Sequence, residues 1–346
     1  MKRNRYFLVL MAVMACVCVS CEDTLDVDDS GANDLLVLNG VPSAGRQAFI
    51  YFSHSHFFLD NSSNHPVAGA VPTLTVNGVP YAHDSVSGSK FFFPYTCQPG
   101  DSLTIDVTSP SGNVHAKTYV PLVPAISGFS VAEYPTSSFN FYLAQYTLSD
   151  HADNPEYYYL KVEVRDSGMR YNDWTHQFDS VDTVHSTYFL MPNNPELTSS
   201  DVSPNVALGG YLYTSIMSTD RRIDGQDCDV RLFIMHLKDT NEVVNDTQQF
   251  KHWYDITIES ITLERLRYLI SVSQNLNTVS FFAEPVQPFT NIEGGVGIFG
   301  GSSKVKFSFD ADTVTTAGGP SGLPVESLEA ILGSQRQNVG RRTDRY

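Results

Sequence analysis

The chain has 346 residues, with 22 Lys plus Arg against 38 Asp plus Glu and a formal charge of −16. That excess of carboxylates repels a phosphate backbone and leaves no basic groove to hold one, so nucleic acid is excluded as a partner. The length exceeds the roughly 250 residues beyond which one core usually splits, so two domains are expected.

Lys2, Arg3 and Arg5 precede an uncharged apolar run from Tyr6 to Val19 that stops at Ser20-Cys21. A run this short fits a cleavable export leader better than a membrane span, which needs about 20 apolar residues. Cys18-Val19-Ser20-Cys21 resembles a lipoprotein cleavage site, with Cys18 standing where leucine is usual. The expectation is cleavage after residue 20 and lipidation of Cys21, with palmitate among the acyl chains. Ordinary secretory cleavage and a retained anchor are the alternatives. Each buried methylene contributes about 0.8 kcal/mol, and two or more chains hold a protein stably to a bilayer.

The run Glu22 to Asp29 is acidic, so anionic lipid repels it and it reads as a solvated tether over 21–33. It also resembles the acidic export signal of Bacteroidetes lipoproteins bound for the outer face of the outer membrane. Without residues 1–20 the chain carries 19 basic and 38 acidic residues, a formal charge of −19.

Strand signals begin at Leu35. Leu35-Leu36-Val37-Leu38 and Ala48 to Phe52 are short apolar runs bounded by turn residues. In Leu74 to Tyr81, Asn77-Gly78 supplies the two positive-φ positions of a tight hairpin, and Pro80 places the returning strand at an edge. After Lys90 to Phe93 and a turn at Pro99-Gly100-Asp101, Leu103, Ile105 and Val107 alternate with polar residues, the period of a half-buried strand. Residues 34–122 therefore read as an immunoglobulin-like β-sandwich of about seven strands, closed by Pro121, Pro124 and Gly128.

Residues 123–312 read as a larger β-rich domain, sandwich or barrel-like, with one helix. Phe139 to Leu148, Tyr157 to Val164, Val230 to Leu237 and Trp253 to Ile261 are its strands. Tyr157-Tyr158-Tyr159 is read as sheet packing, with a surface aromatic patch as the alternative. Thr262 caps a helix whose Leu263, Leu266, Leu269, Ile270 and Ser273 share one face, and Asn275 and Asn277 end it. Phe281-Phe282 begins a further loop or strand. Residues 313–346 read as a poorly ordered tail with a short helix at Val325–Leu332.

Chemistry is sparse. There is no nucleophile elbow, phosphate loop or paired-histidine metal helix. Gly294 to Gly301 lacks the closing Lys-Ser/Thr of a phosphate loop and reads as a tight turn with close backbone packing. His54, His56 and His65 are read as surface histidines rather than a metal set. Asp220, Asp224, Asp227 and Asp229 lack the spacing of a calcium loop and read as a solvated loop. Cys97 and Cys228 are read as separate thiols, one per domain, with a disulfide as the alternative. No catalytic residue, metal or cofactor is assigned; a carboxylate pair brought together by the fold remains the route by which an envelope hydrolase would arise.

Cys21-Glu22, Leu36-Val37-Leu38-Asn39-Gly40, Tyr95 through Pro99-Gly100-Asp101, Asp220 to Gly225, and above all Asn291 to Gly300 carry a family resemblance. Over about residues 21–310 the chain resembles the Bacteroidetes lipoprotein family known as domain of unknown function 4249. The resemblance implies an all-β envelope or surface lipoprotein, often encoded near TonB-dependent transporters, with no established catalytic set. Asp84-Ser85-Val86, Asp101-Ser102-Leu103, Asp179-Ser180-Val181, Asp182-Thr183-Val184 and Asp312-Thr313-Val314 resemble the O-glycosylation acceptor pattern of these bacteria. The expected function is a noncatalytic accessory that binds a ligand or partner beside a TonB-dependent transporter at the cell surface. A structural or adhesion lipoprotein is the second reading and an envelope hydrolase the third.

Overall fold

A computed structural model describes residues 35–55, 66–135, 140–152, 155–172, 174–191, 197, 206–207, 212–236, 251–277 and 288–314. The expected features at Cys21, Glu22 to Asp29, His56, His65, Phe281-Phe282 and Val325–Leu332 lie outside these residues. What is described is all-β apart from one α-helix and two short 3-10 turns, and no sheet closes into a barrel.

The first sandwich uses β1 (Leu36–Gly40), β2 (Gln47–His54), β3 (Val71–Val76), β4 (Val79–Ala82), β5 (Ser85–Ser87), β6 (Lys90–Thr96), β7 (Ser102–Ser109) and β8 (Gly112–Tyr119). One sheet runs β4-β3-β7-β8. Its β7 shows why alternation builds a sandwich: Leu103, Ile105 and Val107 are buried while Ser102, Asp106 and Thr108 face solvent. Asn77 and Gly78 take φ of 49° and 84°, the tight hairpin expected of that pair. Pro80 sits on β4 at the sheet edge, where its missing N–H leaves no central ladder bond unmade.

The second sandwich takes in β9 (Ala125–Pro135), β10 (Asn140–Ser149), β11 (Tyr157–Asn172), β12 (Gln177–Ser186), β13 (Phe189–Leu190), β14 (Val206–Ala207), β15 (Leu212–Tyr213), β16 (Ser215–Thr219), β17 (Asp227–His236) and β18 (Lys251–Ile261). Helix α1 (Leu263–Asn277), β19 (Val296–Phe299) and β20 (Ser302–Asp310) follow. One sheet is ordered β14-β15-β13-β17-β10-β9; the other is β12-β11-β18-β20, with β16 also paired to β11. Leu160, Val162, Leu232, Ile234, Ile256 and Ile258 fill the space between them. Tyr254 and Phe309 stack there at 5.1 Å, and burial pushes the neighbouring Tyr142 hydroxyl up to about 12. Helix α1 begins where expected, with Arg265 N–H donating to Thr262 Oγ1 at 3.4 Å, and Leu266 packs under it against Met217 and Ile261.

Strand β19 does not join the sandwich that precedes it in the chain. It pairs parallel with β1, Val37 opposite Val296 through Gly40 opposite Phe299, and forms the end of the sheet β19-β1-β2-β6-β5. Ile292 and Phe299 thereby enter the first core, among Leu38, Ile50, Phe52 and Phe93. A Cβ on Gly297, where φ is 116°, would stand 2.1 Å from Leu38 O; one on Gly301 would stand 1.8 Å from Tyr119 O. Only glycine allows this approach, which is the close packing read from the glycine-rich stretch.

The chain then crosses to the second sandwich beside its first crossing. Gly301 N–H donates to Thr118 Oγ1 at 3.0 Å, Ser303 Oγ–H to Pro121 O at 2.6 Å, and Thr262 N–H to Gly301 O at 3.2 Å. Arg265 Nη2 meets the buried Glu259 Oε2 at 2.9 Å in the same region.

Candidate functional site

Strand β11 outruns its neighbour. It pairs with β18 from Tyr157 to Ser167 but with β12 as far as Asn172 opposite Gln177. Beyond Ser167, among the described residues, β11 continues paired with β12. At the turn between them His176 takes a φ of 53° and Trp174 is 96% exposed; Met169 and Val184 are exposed along this β11–β12 ribbon.

The root of the ribbon is polar. Asp166 lies between two imidazoles, 2.7 Å from His252 Nδ1 and 3.5 Å from His185 Nδ1, with Asp166 and His252 both largely buried. Next to them, on β11 and β18, Arg165 and Lys251 sit over the Trp253 ring at 5.4 and 5.9 Å. Burial raises the carboxyl of Asp255, but Lys306 at 2.7 Å and the Ser308 hydroxyl at 2.5 Å outweigh it and hold the group below its ordinary value. These contacts fix the base from which the tip projects.

A second polar cluster joins the two turns that carry the chain between the sheets of the second sandwich. Asp150 and Glu156 lie in the β10–β11 turn, and Asp220 to Gln226 form the β16–β17 turn. Asp220 Oδ2 accepts from Glu156 N–H at 2.5 Å, and Asp150 Oδ2 accepts from Gly225 N–H at 2.9 Å. Tyr158 Oη bonds to Asp150 Oδ1 at 2.8 Å and to Glu156 Oε2. Gly225 has φ of 65°, and a Cβ there would lie 2.9 Å from Ala152 Cβ. The aspartates read as a solvated loop thus divide: Asp220 turns inward, Asp229 accepts from Thr147 Oγ1 at 2.8 Å, and Asp224 and Asp227 are exposed.

Of the other residues singled out in the sequence, His54 ends β2. Among the described residues no group of three or more His, Cys, Asp or Glu is arranged to hold a metal. Cys97 and Cys228 are buried in different cores, and burial pushes the Cys97 thiol up to about 11. Tyr158 is buried and Tyr157 and Tyr159 pack against the α1 cluster, as sheet packing requires. Ser85, Ser102, Ser180, Thr183 and Thr313 are all exposed.

Sequence reasoning passed over Trp174 and the Asp150–Glu156–Tyr158 cluster. The former had a local signal, a polar Asn172-Asp173 pair followed by tryptophan between two strand-like runs. The latter is close in sequence, but its tie to Asp220 has no local signal, because Asp220 lies 64 positions from Glu156. Asp101 belongs in the sequence to a turn, to the Asp101-Ser102-Leu103 acceptor pattern and to the family resemblance. Its buried carboxylate accepts from Asn77 Nδ2 at 2.8 Å, Tyr95 Oη at 2.8 Å and Gln98 N–H at 2.7 Å, and burial pushes Tyr95 up to about 12.

Two sandwiches in tandem, the first completed by a strand from near the far end of the described chain, define an all-β protein in which the β11–β12 hairpin carries an exposed Trp174. Residues 22–308 match the family described as Domain of unknown function (DUF4249), and the chain belongs to that family. No curated protein matches it. Among solved structures, β-glucuronidase 3 of Bacteroides uniformis is similar at 10% identity and a TM-score of 0.20, over 63% of this chain and 23% of that one. This chain thus spans under a quarter of that enzyme's length. A structure of manganese lipoxygenase of Gaeumannomyces graminis with part of zonadhesin of Komagataella pastoris is similar at 8% identity and a TM-score of 0.16, over 66% and 89%. Among the described residues no helix is long and apolar enough to cross a membrane.

Proposed function

We propose that the protein is a lipid-anchored lipoprotein of the Bacteroidetes outer membrane, facing the cell exterior, that holds a ligand or partner for a TonB-dependent transporter without catalysing a reaction. The observation that carries this reading is the joint layout of anchor and contact element. An export leader ends at Cys21, an acidic tether follows, and the second sandwich then extends Trp174 into solvent at the end of a braced ribbon. A tether supplies reach, and a rigid sandwich carrying an exposed aromatic tip supplies a contact point with little ordering cost on binding.

The test is cross-linking in intact cells followed by purification of the protein with what it holds. Recovery of a TonB-dependent channel that is lost with Trp174→Ala supports the accessory role. Recovery of the protein without a channel, together with attachment to matrix or other cells, supports the adhesion reading. Cys21→Ala is expected to release the protein from membranes; a variant that stays bound through a salt wash would overturn the anchor.

A further inference from the structure

We infer that Arg46 of the first sandwich and Lys304 of the second, backed by Lys161 and Arg265, hold a doubly charged oxyanion of the phosphate or sulfate class at the junction of the two sandwiches. Four elements bring these cations together. Ser302 N–H donates to Pro42 O at 2.9 Å and Ala44 N–H to Ser302 O at 3.0 Å, which lays the β1–β2 turn carrying Arg46 against the start of β20. Lys304 lies two residues further along β20, directly opposite Glu259 of β18, and Lys161 of β11 lies opposite Thr257, two residues before Glu259. A Cβ on Gly300 would stand 2.8 Å from Arg265 Cβ, so the stem of Arg265 on α1 rises beside the same end of β20. The two-residue period puts Lys304, Glu259, Thr257 and Lys161 on one face of the sheet, the face turned away from the core that holds Ile256 and Ile258.

The charges there do not balance. Lys161 Nζ meets Glu163 Oε1 at 2.8 Å, Lys306 Nζ meets Asp255 Oδ2 at 2.7 Å, and Arg265 Nη2 meets Glu259 Oε2 at 2.9 Å. Three acids thus answer three cations, and among the described residues no further carboxylate forms an ion pair with Arg46 or Lys304. That leaves an excess of positive charge on this face of a chain whose formal charge is −16. Arg46 and Lys304 are exposed, whereas Asp255 and Glu259 lie beneath, with side-chain exposures of 6% and 7%. An incoming group therefore meets ammonium and guanidinium before carboxylate. Partial burial and the neighbouring Arg46, Lys161 and Arg265 hold Lys304 below its ordinary value, and Glu259 does not offset them. Arg265 Nη1, itself out of water, has no hydrogen-bond acceptor. Crowded cations with an acceptor missing are the surroundings an oxyanion completes, because it brings both the opposite charge and several acceptor oxygens.

Two excess cations, Arg46 and Lys304, favour a dianion over chloride or a single carboxylate. The group can be a free ion or an ester on a larger molecule, and its chemistry at the site is the same. The site rests on the ligand-holding reading only in naming the charged group of the ligand, and it uses neither Trp174 nor the lipid anchor. Channel recovery can therefore fail while the oxyanion binds, and the reverse.

Titration calorimetry of the intact protein with inorganic phosphate and with sulfate, at an ionic strength held constant with chloride, tests this. One saturable site with a dissociation constant of about 1 mM or below is expected, with phosphate and sulfate competing for it. Arg46→Gln and Lys304→Gln are each expected to weaken binding by about threefold or more, and the double variant by about tenfold. Lys117→Gln, at an exposed lysine of β8, is expected to leave it unchanged. No saturation below about 20 mM, or an equal weakening in Lys117→Gln, overturns the site. If the double variant does not fold, melting of the wild type decides. Phosphate at about 10 mM is expected to raise the transition above that in chloride of matched ionic strength, and equal transitions refute the site. Dextran sulfate that displaces the bound ion assigns the group to a polymer, and phosphate that stays bound against it assigns the site to a free ion; both outcomes support the site.

Discussion

The two sandwiches are closed by different means. The first is finished by a strand from far along the chain, held through backbone contact and glycine. The second draws its described strands from a continuous stretch after Pro124, with β20 added after the detour through β19, and braces its ends with charged side chains. The difference teaches where each is vulnerable. Backbone-to-backbone closure fails on the addition of one methyl group, whereas carboxylate closure responds to pH.

The largest expected effect follows from that contrast. Gly297→Ala places a Cβ 2.1 Å from Leu38 O at a φ of 116°, so the strand must leave its register. A loss of about 3–5 kcal/mol is expected. Calorimetry is expected to show the transition of the first sandwich moving down more than that of the second; equal shifts would mean that the two unfold as one unit. Phe299→Ala is the sharper companion, because it removes a fully buried ring without touching the backbone and is expected to cost about 3 kcal/mol or slightly more.

Next in size is Asp101→Ala. It strands Asn77 Nδ2, Tyr95 Oη and Gln98 N–H, and about 2–3 kcal/mol is expected, read by chemical denaturation. An unchanged midpoint would show that water replaces the carboxylate.

The pH response separates two carboxylates of the second sandwich. Glu156 is raised, so its contribution is full below the ordinary glutamate value near 4.3 and is lost as pH rises through the raised value. Asp255 is depressed, so its contribution is present above the ordinary aspartate value near 3.9 and is lost as pH falls through the lowered one. Melting profiles of Glu156→Gln and Asp255→Asn are expected to flatten opposite limbs of the wild-type curve. The same limb affected in both would show that neither assignment of sign is right.

The smallest expected stability effect is at the tip. Trp174→Ala is expected to change unfolding by no more than about 0.5 kcal/mol, because the ring is 96% exposed, while partner recovery drops. A large destabilisation would make the indole structural and remove the contact reading.

The segments that carry the family resemblance explain why it is a signature of folding. Leu36-Val37-Leu38-Asn39-Gly40 and Asn291 to Gly300 pair with each other. Ile298 N–H donates to Asn39 Oδ1 at 3.3 Å, while Asn291 Nδ2 donates to Phe299 O at 2.8 Å and Asn291 Oδ1 accepts from Phe299 N–H at 3.0 Å. Tyr95 through Asp101 closes a turn around a buried carboxylate, and Asp220 to Gly225 is the turn held by Asp150 and Glu156. Each stretch is a place where the backbone is brought together.

What the sequence determined by itself is local. Alternation in β7 sets which residues face the core, Asn77-Gly78 sets a hairpin, and Thr262 with the spacing of Leu263, Leu266 and Leu269 sets a helix, because each depends on neighbours a few positions away. Tertiary structure alone decided that β19 returns to β1, since Ile298 and Asn39 are 259 positions apart and a glycine-rich strand has little side-chain period to announce its partner. It alone also brought Asp150, Glu156, Tyr158 and Asp220 together, because closing two sheet-to-sheet turns against each other depends on the packing of the sheets and leaves no mark in residue spacing.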